Sequence, residues 1–137
     1  HIDFQTARQN YAGVLMENGD SGEALAVLEE LLQDQLTSPG PDHLVTLETQ
    51  ALLGRVHEAK GQPERAAEAY TSAAQGLTRI QGEDNSSALS CAFRLVDILD
   101  TLGRQDEATA VAKQYFGKPP DPRKLDIIGQ KPSDLPR

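Results

Sequence analysis

Gly19-Asp20-Ser21-Gly22-Glu23-Ala24 comes back as Gly61-Gln62-Pro63-Glu64-Arg65-Ala66, and again as Gly103-Arg104-Gln105-Asp106-Glu107-Ala108. The copies lie 42 residues apart, with Gly and Ala in the same two columns each time. A fixed period of this length is the mark of a chain built by stacking like units. Neighbouring columns agree in character: Tyr11, Leu53 and Leu95 are large, Ala12, Gly54 and Val96 are small, and Val14, Val56 and Ile98 are β-branched. Each unit is preceded by a polar turn, Gly40-Pro41-Asp42-His43 and then Gly82-Glu83-Asp84-Asn85, with His1 in the column of His43 and Asn85. The period divides residues 1–116 into repeats of about 1–40, 41–82 and 83–116.

Each repeat reads as two helices. The first covers roughly 3–18, 44–60 and 86–102, the second roughly 20–36, 63–80 and 105–116. In the second helix of the first repeat, Ala24, Val27, Leu28, Leu31 and Leu32 fall at helical spacing and form one apolar face. The same columns hold Ala66, Ala69, Tyr70, Ala73 and Ala74 in the second repeat, where small residues let helices approach closely. Gly19, Gly61 and Gly103 sit where a helix ends in a left-handed residue. Pro63 suits the first position of a helix, where its missing N–H costs nothing. Asp42 and Asp84 are expected to cap the first helices, and Pro39 and Pro41 to stop the helix before them.

Composition narrows the chemistry. The chain of 137 residues fits one domain, with 38% hydrophobic residues and no Trp, so the core is drawn from Leu, Ala and Val. The formal charge is −8: residues 1–116 carry 8 basic against 18 acidic residues, and residues 117–137 carry 5 against 3. An acidic body repels nucleic acid and anionic membranes. It favours a basic or amphipathic partner, or serves solubility alone. The single cysteine, Cys91, forbids an intrachain disulfide and favours a reducing compartment. No apolar run is long enough to span a membrane, and no signal peptide is visible. The start at His1, inside the turn motif, reads as a fragment of a longer protein.

These motifs resemble the tetratricopeptide repeat family, and specifically its 42-residue kinesin light chain-like variety. The family turn, Gly-x-Asp-His, appears as Gly40-Pro41-Asp42-His43, its Asn-Leu-Ala step as Asn10-Tyr11-Ala12, and its Gly-x-x-x-Glu-Ala element as Gly19 to Ala24 and Gly103 to Ala108. The middle copy has Arg65 in place of the Glu, and Leu52 and Arg94 stand where Asn10 stands in the first repeat. In kinesin light chains such Asn side chains line the cargo groove. The resemblance covers residues 1–116. It implies an all-α fold, a right-handed superhelical solenoid of three helix-turn-helix repeats, in which the first helix of each repeat lines a concave face.

No catalytic or cofactor-binding constellation can be assembled. His1 and His43 belong to the turn motif, and His57, in the column of Leu15 and Leu99, faces helix packing; no metal-ligand spacing joins them. Cys91 reads as a packed residue. The acidic pairs Glu29-Glu30, Glu83-Asp84 and Asp106-Glu107 read as solvated faces or helix starts, since adjacent helical residues point apart. The remaining working surface is the first-helix face. The candidate partner-binding residues are Thr6, Gln9 and Asn10 in the first repeat, Glu48 and Arg55 in the second, and Ser90, Phe93, Arg94 and Asp97 in the third, with Gly13 and Ala51 between them. Phe93 is either an interface anchor or a residue packed under the C-terminal segment. Arg55 and Arg94 either clamp a partner carboxylate or pair with Glu58 or Asp97.

Residues 117–137 hold five of the eight prolines and read as a tail that is either disordered or folded back as a cap through Leu125, Ile127 and Ile128. The expected function is a protein–protein interaction module, an adaptor, assembly factor or regulator presenting a groove to a peptide or helix. The alternative is a structural element that self-associates through the ends of the stack. No cofactor is expected, and no enzyme activity.

Overall fold

The computed structural model describes residues 4–117; the expectations for His1 and for the tail beyond Gly117, including Leu125, Ile127 and Ile128, lie outside the described residues. Six helices follow in order: α1 (Phe4–Glu17), α2 (Ser21–Thr37), α3 (Leu44–Ala59), α4 (Pro63–Gln81), α5 (Ser86–Thr101) and α6 (Gln105–Phe116). No strand occurs among the described residues. Each helix packs chiefly on its neighbours in sequence, and α1 also touches α3. That is the contact pattern of a solenoid, where a repeat meets only the repeats beside it.

The short turns within the repeats are the same bond for bond. Gly19, Gly61 and Gly103 have φ of 83°, 72° and 78°, a region that a side chain on Cα disfavours. The next residue in each case, Asp20, Gln62 or Arg104, donates its N–H at 2.8 Å to the carbonyl of Leu15, His57 or Leu99. This six-to-one closure satisfies a carbonyl that the helix end would otherwise leave open. Pro63 is the first residue of α4.

The caps of the first helices differ from expectation. Asp42 and Asp84 do not cap; the residues after them do. His43 Nδ1 accepts from the Val45 N–H at 3.2 Å, and Asn85 Oδ1 accepts from the Ala88 N–H at 2.9 Å. A capping side chain must sit immediately before the first helical residue. The helices begin at Leu44 and Ser86, which leaves the aspartates one position too early. Asp42 instead reaches Arg79 of α4 at 2.9 Å.

The core runs the length of the stack in two clusters. One gathers Ala12, Leu15, Ala24, Leu28 and Leu31 of the first repeat with Leu53 and Val56 of the second. The other gathers Leu47, Tyr70 and the alanines of α4 with Ala88, Cys91, Leu95 and Ile98 of α5. Both clusters cross a repeat boundary. Gln35 of α2 is fully buried with neither amide atom hydrogen-bonded, in the column where α4 has the buried Leu77.

Candidate interaction surface

The first helices of the three repeats share a cleft of about 460 Å³. From α1 come Gln9, Asn10 and Gly13, from α3 Glu48, Ala51 and Arg55, and from α5 Ser87. Local helix geometry explains the grouping. Residues three or four apart point the same way, so Gln9 and Gly13 share a face, as do Glu48, Ala51 and Arg55. The repeat then places these faces side by side. Gln9, Asn10, Glu48 and Arg55, singled out from the sequence, are thus brought together. Ser87 was missed, although it lies one turn before Ser90 on the same helix.

The side chains around the cleft differ in what they are free to do. Gln9 spends its amide N–H groups within the fold, donating to the Val45 carbonyl and to Thr49 Oγ1, both at 2.8 Å. It ties α1 to α3. Arg55 is exposed and makes no hydrogen bond or ion pair with any described residue. Thr6 lies toward the turn end, in a recess that it shares with Glu48 and His43. On α5, Ser90, Phe93, Arg94 and Asp97 are all exposed, with Phe93 at 69%. The reading of Phe93 as packed under the tail falls outside the described residues. Arg94 donates to Glu58 Oε1 at 3.2 Å, across the boundary between the second and third repeats. The Tyr70 hydroxyl donates to that same oxygen. Arg94 is therefore paired with Glu58, one of the two fates its position allowed.

A second cleft, of about 570 Å³, lies on the second helices, between α4 and α6. Its floor is apolar, with Ala67, Leu95 and Leu99, and Glu64, Glu68 and Glu107 stand at its rim. The sequence offers no candidate residues on this face, because the apolar columns of the second helices read as packing.

His57 is buried, its Nδ1 3.0 Å from Gln62 Oε1, which holds the ring in the packing rather than toward a ligand. Cys91 is buried, and burial pushes its thiol up to about 11, against a smaller lowering by Arg94. It is a packing residue, not a nucleophile. Among the described residues, no three His, Cys, Asp or Glu side chains are grouped to hold a metal, and no helix is long and apolar enough to cross a membrane.

Known proteins agree with this architecture. The tetratricopeptide repeat family matches residues 3–79, the first two helix pairs. No curated protein matches the chain. Among solved structures, the chain is similar to nearly identical TPR-like repeats of a Podosopora anserina protein named as a kinesin light chain. One form superposes with a TM-score of 0.71 at 21% identity, over 92% of this chain and 64% of the other. A second form gives 0.69 at 21% identity, over 88% and 60%. This chain thus spans less than two thirds of the length of those structures. The likeness extends the repeat fold beyond residue 79 to the third helix pair. The family's repeats generally serve as protein-interaction modules and are typically non-enzymatic scaffolds. An all-α solenoid of 42-residue helix pairs, matched over more than half its length, this chain belongs to the tetratricopeptide repeat family.

Proposed function

We propose that the chain is an adaptor, assembly or regulatory module whose first-helix face forms a concave groove for a peptide or helix of a partner protein. The observation that carries this reading is the cleft shared by α1, α3 and α5, with Arg55, which has no partner among the described residues, on its wall and the exposed Phe93 on α5. Arginine and large aromatic side chains are enriched among the residues that carry binding energy at interfaces, and Arg55 has no hydrogen-bond or ion-pair partner among the described residues. Arg55 supplies a forked donor for a carboxylate or a backbone carbonyl of the bound segment. Phe93 supplies apolar area with few rotamers to freeze. The acidic body around them favours a segment that is basic or amphipathic.

The cleft's small residues, Gly13 and Ala51, leave room for a bound main chain to lie close to the helices. Helix-in-groove and extended-peptide binding both use such a surface. The experiment is retrieval of partners on the immobilised chain, identification by mass spectrometry, and measurement of the best partner's affinity for the Arg55→Ala/Phe93→Ala double variant. The expected result is a loss of at least about tenfold, or ~1.4 kcal/mol, with helical circular dichroism unchanged. Full affinity in the double variant would remove the groove from the account.

A further inference from the structure

Arg55 has a counterpart of opposite charge on its own helix. Glu48 lies seven residues earlier on α3, and both side chains are exposed and line the cleft shared by the first helices. Residues seven apart on a helix share one side, two turns or about 10.5 Å apart. Neither Glu48 nor Arg55 has a hydrogen-bond or ion-pair partner among the described residues. The same two columns hold Thr6 and Gly13 on α1, and Ser90 and Asp97 on α5. Among the three described repeats, only the second therefore sets a negative charge at one end of this stretch and a positive charge at the other. The third charged side chain of the cleft, Glu17, ends α1 in the column of Ala59, a turn past Arg55. It offers a place for a further base and leaves the contrast between Glu48 and Arg55 as it is.

We infer that the groove takes a partner helix that carries a basic and an acidic residue seven apart on one side, the base against Glu48 and the acid against Arg55; this rests on the groove reading above and adds the partner's conformation and charge signature. A helix laid along α3 repeats the two-turn spacing residue for residue. A β-strand does not, because its side chains on one face fall about 7 or 13 Å apart. A polyproline segment brings residues to the same side about every 9.3 Å, but such segments dock on aromatic-lined grooves, and no aromatic residue lines this cleft. Ala51, between the two charges, and Gly13 of α1 keep the floor low enough for a helix to come close. Val14 and Leu52 give its apolar residues a wall to pack on, so the partner helix is amphipathic. Charges placed this way select among partners more than they add affinity. A helix with two bases or two acids at these positions sets like charges together and is rejected.

Selection of peptides from a random linear display library on three forms of the full chain tests this: unsubstituted, Glu48→Arg and Arg55→Glu. Both sites are exposed, and circular dichroism checks that the fold is kept. On the unsubstituted chain the enriched peptides are expected to pair a Lys or Arg with an Asp or Glu seven residues away. On Glu48→Arg the pair should become two acids, and on Arg55→Glu two bases. Each selected peptide should bind about fivefold more weakly to a form that it does not match, and the difference should shrink at high salt. One charge pattern selected on all three forms overturns the inference, and so does enrichment at a spacing of three, which would mean an extended segment. Chemical-shift mapping with the selected peptides then separates the two failures. Shifts at Asn10 and Ala51 would leave the groove standing without its charge signature, and shifts confined to the second helices would remove both.

Discussion

Gly54 of α3 lies flush against the ring of Tyr70 in α4: a β-carbon on Gly54 would sit 2.7 Å from Cε1 of the ring. The two columns trade volume along the stack. The first repeat has Ala12 and Leu28, the second Gly54 and Tyr70, the third Val96 and Ala112. The smallest residue of one column falls opposite the largest of the other, which keeps the spacing of the helix pair.

Gly54→Ala is therefore expected to destabilise. Alanine gains up to about 1 kcal/mol in helix propensity, but overpacking a buried site costs about 1–3 kcal/mol. Tyr70 cannot step aside, being buried with its hydroxyl bonded to Glu58. Gly13→Ala, in α1 with nothing within 4 Å of the new atom, should instead stabilise. Urea denaturation of the two variants should move in opposite directions. Adding Tyr70→Leu to Gly54→Ala, which reproduces Ala12 and Leu28, should recover part of the loss.

Gln35→Leu should raise stability. The glutamine is fully buried with both amide atoms unpaired, and an unsatisfied buried polar group costs about 1–3 kcal/mol. Leucine has a similar volume and already fills the equivalent place as Leu77. Thermal denaturation should show a higher midpoint; a lower one would mean that the amide has partners the packing does not reveal.

Cys91 makes stability depend on pH in the alkaline range. Burial raises its thiol from 9.0 to about 11. Between these values the folded chain keeps a proton that the unfolded chain has lost, so stability is intact below pH 9.0 and falls as pH rises toward about 11. Cys91→Ala should flatten that part of the profile. Tyr70, whose hydroxyl is also raised by burial and by Glu58, titrates in both proteins and cancels in the comparison. At neutral pH the native thiol should react with iodoacetamide only at the rate of unfolding.

Much of this was legible in the chain itself. The Gly and Ala columns located every short turn, because only glycine fits the left-handed residue that closes them. The helices start and end within about two residues of the periodic pattern, and His57 was read as a packing residue from its column alone. What escaped is what depends on a third dimension. The choice between Asp42 and His43 as cap turns on a single residue of helix start. Gln9 looked like open surface because its partners, Val45 and Thr49, lie on another helix. The exposure of Phe4, Tyr11 and Val14 could not be seen from columns whose other members are buried, since among the described residues no helix packs on that side of α1.

The first-helix face is the part of the molecule proposed to bind a partner. Chemical-shift mapping of the labelled chain, with a peptide selected on it from a random display library, tests this most directly. The largest shifts are expected at Asn10, Gly13, Ala51, Arg55 and Phe93. Largest shifts instead at Glu30, Gln33, Ser72 and Gln75, on the second helices, would contradict it.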